Sequence, residues 1–283
     1  SRYCIRLSFF EGEVHLGSFR DSALSDALSR NFLGICVVRP TYPKFFGKTM
    51  LSPRALKARK FISCLGAKTF SINGVKLKAS CFPHASQDGE YISCAETSLW
   101  SIMEYFGNKY PEHTPTLPSE IINILARPAP ERMVPSRGLT INQISFALKE
   151  FGFASRIYTK EAYKGKEDDF RRILSFYIES GIPVVVGLQN ENIGHAVVFV
   201  GHTISDKTPV DTRNVSFSLS RTGTGMIDTA DFDKQFVVID DNFSPYKFCK
   251  FELPAGYYDD IQFSSLQIAG FVVPLYPKIY LEA

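Results

Sequence analysis

The chain has no run approaching the ~18 apolar residues that a membrane-spanning helix needs. It also has no CxxC pair, no internal repeat and no low-complexity segment. Its six cysteines (Cys4, Cys36, Cys64, Cys81, Cys94 and Cys249) are scattered over 283 residues without regular spacing, which argues against a disulfide framework and a zinc ribbon alike. Cys81 with His84 is the one metal-like pair, and it lacks a second pair at ligand spacing, so neither a metal nor another cofactor is expected. The net charge of +3 does not by itself point to nucleic acid. The basic residues Lys44, Lys48, Arg54, Lys57, Arg59 and Lys60 read as a loop running into a short helix, and no aromatics are interleaved at a binding spacing. That pattern fits a solvated face. The chain starts at Ser1 without a methionine, as a processed chain would, and localisation is not legible at this end.

What the chain does have is 45% apolar residues, enough to bury a sizeable core in one large domain or two smaller ones. Its most informative stretch is ASQDGEYISCAETSLWSIMEYFG, residues 85–107. After Cys94, the residues Leu99, Ile102, Met103 and Phe106 recur at helical spacing and predict a helix that packs one face on a core, with Gly107 as its terminator. Cys94 is thereby placed at a helix N-terminus. Unpaired N–H groups and the positive end of the macrodipole there favour a sulfur anion.

A nucleophilic sulfur needs a base and a group to orient it. The run GIPVVVGLQNENIGHAVVFVGH offers His195 and His202, which an odd separation would turn to opposite faces of an unbroken strand. His195 is the choice, because it begins the strand beside the loop NENIG, with His202 at the far end as a surface histidine. His15, His84 and His113 fall in polar or proline-rich loops. The run FVVIDDNFSPY carries Asp240, Asp241 and Asn242. Asp240 follows its strand directly and is expected to accept the Nδ1–H of His195, with Asn242 as fallback. Asp241 and Asn242 read better as a turn before Pro245.

The order Cys94, His195, Asp240, with the cysteine on a helix and the other two on strands, resembles the papain-like cysteine peptidase superfamily, and more closely its bacterial C39-like branch. The resemblance covers about the last two thirds of the chain. It implies a papain-like α+β fold and acyl transfer through a thioester. It also implies an oxyanion-stabilising glutamine just before the nucleophile, a position Gln87 holds at a separation one residue longer than usual. Peptide hydrolysis is the first expectation, with a peptide or protein as substrate. An acyltransferase or transglutaminase, or a papain-like module that binds without cleaving, would use the same positions.

The rest of the chain reads as α+β. Residues 1–80 form a strand-rich unit with a short helix over DSALSDALSR, capped by Asp21 or Ser22, and an Asn-Gly hairpin at INGV. Residues 81–283 form the catalytic domain. In it, helices over IINILA (cap Ser119), INQISFALKE (cap Thr140) and EDDFRRILSFYIE precede the strands IPVVVGL, HAVVFVG, FVVID and FVVPLYPKIYL. Helices packed on one side of a largely antiparallel sheet are the expected architecture.

Overall fold

The computed structural model describes residues 3–21, 24–40, 45–56, 61–87, 93–127, 139–203, 230 and 232–277. Among these described residues, two antiparallel sheets and six α-helices make an α+β arrangement. In the first sheet, β1 (Ile5–Phe10), β2 (Phe32–Val38), β3 (Phe46–Leu51), β5 (Gly66–Ile72) and β6 (Val75–His84) run in the order β1-β2-β3-β6-β5. Helix α1 (Ser25–Asn31) lies against it around a core of Phe32, Met50, Phe70 and Leu77. The β5–β6 hairpin turns on Asn73 and Gly74 with φ of 47° and 84°, the two positive values that an Asn-Gly turn supplies. The cap of α1 is Leu24, not Asp21, and Ser22 lies outside the described residues. Where a basic helix was expected, β3 and a single 3-10 turn (Pro53–Ala55) stand instead. Lys48 and Arg54 there pair with Glu104 and Glu11, each at 2.6 Å, while Lys44, Lys57, Arg59 and Lys60 lie outside the described residues.

The second sheet holds β7 (Ala154–Thr159), β8 (Val184–Gln189), β9 (Gly194–Thr203), β10 (Phe236–Ile239), β11 (Lys247–Cys249) and β12 (Gln267–Leu275), ordered β11-β10-β9-β8-β12-β7. Its central strands carry continuous apolar runs (Val184–Val186, Ala196–Val200 and Phe236–Ile239), so both faces must be covered. Ala196, Val198 and Val200 of β9 pack with α2 (Cys94–Lys109), α3 (Pro118–Leu125) and α4 (Ile141–Glu150). Val197 and Phe199 pack with α5 (Glu167–Glu179) on the other face. The expectation of helices on one side is corrected by α5, whose Phe170, Leu174 and Ile178 fill that second core.

The sequence boundary at residue 80 does not follow the sheets. Strand β4 (Phe61–Ser63) pairs with β9, and Cys64 N–H donates to Val200 O at 2.6 Å. Tyr246 joins the two sheets again, donating its hydroxyl to Leu51 O (2.7 Å) and accepting from Phe82 N–H (2.9 Å). Gly107 does not end α2, which runs on to Lys109. A Cβ there would stand 2.5 Å from Pro115 N, so close approach of the following loop is what calls for glycine. Thr140 caps α4 as expected, accepting from Gln143 N–H, whereas α3 is entered at Leu117 with Pro118 in its first turn, ahead of Ser119.

Candidate active site

Helix α2 begins at Cys94 because Ser93 and Glu96 form a capping box, with Ser93 N–H donating to the Glu96 carboxylate at 3.0 Å. The apolar face of α2 lies on β9, so its first residue is carried over the end of the sheet where β9 starts. Cys94 is half-buried there; its sulfur accepts the Ala196 N–H at 3.3 Å, and it lines one cavity together with His195. His195 is buried, and its Nε2–H donates to Asp240 Oδ1 at 3.0 Å. The expected use of Nδ1 for Asp240 is thus corrected: Nε2 faces the carboxylate.

Asp240 has no exposed surface and collects donors on both oxygens. Oδ1 takes His195 and the backbone N–H of Asn242 (2.9 Å), and Oδ2 takes the hydroxyls of Tyr257 and Tyr258, each at 2.8 Å. Asp241 lies 4.0 Å from His195 Nε2. The chain turns at Asp240, where Phe243 N–H returns to Asp240 O, so Asp241 does not point away as strand continuation would require. Asn242 makes no bond to the imidazole, and its side chain joins Tyr258 (2.9 Å) and Gln87 (3.1 Å). Of the three candidates, Asp240 is the one hydrogen-bonded to the histidine.

The charges follow from these contacts. Burial alone would strip the proton from His195, but the Asp240 charge, its hydrogen bond and Cys94 outweigh it and raise the histidine well above its usual value. Burial likewise disfavours the Asp240 carboxylate, yet His195, Asn242 and Tyr258 hold it below the usual range. Burial, together with the Asp240 charge, pushes both tyrosines up, so they remain donors. Elsewhere burial pushes Cys64 and Cys81 up to about 12, the inert thiols expected of core cysteines. His84 is no loop residue: it ends β6 fully buried, donates Nε2–H to Asp240 O (3.2 Å), and burial lowers it to about 4.

Among the described residues, His195, Asp240 and Asp241 are near enough to share a metal ion. Hydrogen-bond donors already fill both Asp240 oxygens, an arrangement built for a proton on the imidazole and not for a cation. Gln87 is half-buried, and its side chain donates to Asn242; residues 88–92, between it and Cys94, lie outside the described residues.

No known family model matches the chain, and no curated protein matches its sequence. His202, at the other end of β9, is buried and not a surface histidine. It bonds Glu179 through Nε2 (2.5 Å) and Thr203 O through Nδ1 (2.8 Å). Sequence reasoning missed Tyr257 and Tyr258; two adjacent aromatics in the loop LPAGYYDD are the only sign of them.

Proposed function

We propose that the chain is a cysteine-dependent acyl hydrolase of papain-like type, a peptidase acting on peptide or protein substrates through Cys94, His195 and Asp240. The observation that carries this reading is a half-buried thiol and an imidazole lining one cavity, with the imidazole bonded to a fully buried carboxylate and held toward its charged form. The thiolate is the nucleophilic form of a cysteine, and an imidazole beside the sulfur is the group that can take up its proton.

In this reading the Cys94 anion attacks the substrate carbonyl carbon. A C–S bond forms and the carbonyl pair moves onto oxygen. The oxyanion is met by the backbone N–H of Cys94, which the first turn of a helix leaves without an internal partner. Gln87 is the second donor: its amide nitrogen carries two protons, and the bond to Asn242 uses one. As the oxyanion collapses, the C–N bond breaks and the departing amine takes the proton from His195. The neutral imidazole then accepts a proton from water, whose oxygen attacks the thioester; the C–S bond breaks, the acid is released and the thiolate returns beside the protonated imidazole. Asp240 holds the ring in one tautomer and stabilises its charge throughout.

The test is an activated ester, p-nitrophenyl acetate, mixed rapidly with the protein. The expected result is a stoichiometric burst of nitrophenol and an acetyl group mapped to Cys94 by mass spectrometry, both absent from Cys94→Ala. Release without a burst, or acetylation elsewhere, counts against the proposal.

A further inference from the structure

A cavity of about 510 Å³ opens beside Cys94, between the second sheet and the start of α4. Its floor is set by register. Thr159 of β7 pairs with Gly270 of β12, Gly270 with Gly187 of β8, and Gly187 with Ala196 of β9. One row across four adjacent strands thus carries nothing larger than threonine on the face that looks at α2 and α4. The row spans three strand spacings, roughly 14 Å, and it ends at the residue whose N–H donates to the Cys94 sulfur. The next row behind it is Ile157, Val272, Val185 and Val198, an aliphatic wall. Leu139, Ile141 and Ile144 close the trough from above. Apart from His195, the described residues that line it include no charged side chain.

We infer that this trough receives an uncharged aliphatic acyl group, the acyl half of the substrate that Cys94 attacks. The inference rests on the acyl-hydrolase reading for its chemistry and on the register for its shape. An aliphatic chain leaves no polar atom to satisfy along a floor of glycine and alanine, whereas a carboxylate or ammonium would enter with no counter-charge among the lining residues. Two sources share this chemistry, a hydrophobic amino-acid residue of a peptide and a free acyl chain.

Gly187 is the position that tests it. A Cβ added there meets only the Gly270 carbonyl oxygen, at 3.7 Å, so a larger side chain grows into the trough instead of into the fold. Turnover of p-nitrophenyl acetate, butyrate and octanoate is measured, together with the p-nitrophenyl esters of N-acetylleucine and N-acetylglutamate. The expected kcat/KM rises about fourfold per methylene until the trough is full, and the glutamate ester is the slowest. Gly187→Leu should abolish the gain with chain length while iodoacetamide still labels Cys94. Octanoyl exceeding N-acetylleucyl identifies a free acyl chain as the source, and the reverse identifies a peptide residue.

Binding of octanamide to the Cys94→Ala protein, followed by calorimetry, reads the cavity without the chemistry, and Gly187→Leu in that background should remove the heat. Octanamide binding without acylation by any ester would sink the hydrolase reading and keep the trough. Acylation indifferent to chain length, or no octanamide binding, would overturn the trough and keep the reading.

Discussion

The two ends of β9 carry the same motif, a glycine followed by a buried histidine bonded to a carboxylate, and they have opposite chemical prospects. At the far end His202 spends both ring nitrogens on fixed partners, Glu179 and the Thr203 carbonyl, so it has none left for a substrate. At the near end His195 spends Nε2 on Asp240 and shares the edge of a cavity with Cys94. What separates a structural histidine from a candidate base is the partner of the second nitrogen. Burial and the presence of an acid are common to both.

The expected effects differ in size. Removing residues 1–77 should be the most damaging change, because it deletes β4 from the His202 end of the sheet and Leu51 from beneath Tyr246. The shortened chain should lose both its folded circular-dichroism signal and its reactive thiol. His195→Ala should lower the alkylation rate of Cys94 at neutral pH by ~10²-fold or more, with the fold retained. Asp240→Ala should cost less than His195→Ala in the same assay, since it removes the group that orients and charges the ring and leaves the ring itself. Tyr257→Phe and Tyr258→Phe each remove one donor from a buried carboxylate, worth ~1.5–3 kcal/mol of stability, and should slow alkylation only a few-fold. His202→Ala should leave alkylation within about twofold and lower the unfolding midpoint in urea, because the contact of a buried histidine with Glu179 is lost. Loss of reactivity in His202→Ala with His195→Ala intact would invert the comparison.

The His195–Asp240 pair also predicts a pH window. The raised histidine contributes stability that is fully present below its unfolded value of ~6.5 and is lost as pH rises through the folded value. The depressed carboxylate contributes stability present above ~3.9 and lost as pH falls through its folded value. The stability difference between the native chain and Asp240→Asn should therefore be largest from about pH 4 to 6.5 and shrink on both sides, as urea titrations across pH will show.

Local signals were legible in the sequence. The apolar stripe placed α2 and hence Cys94 at a helix start, Thr140 marked α4, and Asn73-Gly74 marked a hairpin. Long-range signals were not. The parity argument for the histidines assumed an unbroken strand, but the pairing of β9 with β10 slips at Val200, so His202 turns to the α5 face of the sheet, the face that Val197 and Phe199 also take. Gly201 is the one hint of that irregularity. A Cβ there would overlap the Ile62 carbonyl oxygen of β4, a three-residue strand too short to carry a pattern of its own. Tyr257 and Tyr258 reach Asp240 across a loop whose path no periodicity encodes.

The central claim is that His195 makes Cys94 the reactive sulfur, and competitive labelling with limiting iodoacetamide at pH 6 tests it most directly. Cys4 is the exposed competitor, and Cys36, Cys64, Cys81 and Cys249 are buried. The account predicts that mapped peptides carry the label at Cys94 first, and that His195→Ala erases this lead. Labelling of Cys4 ahead of Cys94, or a lead for Cys94 that survives His195→Ala, would contradict it.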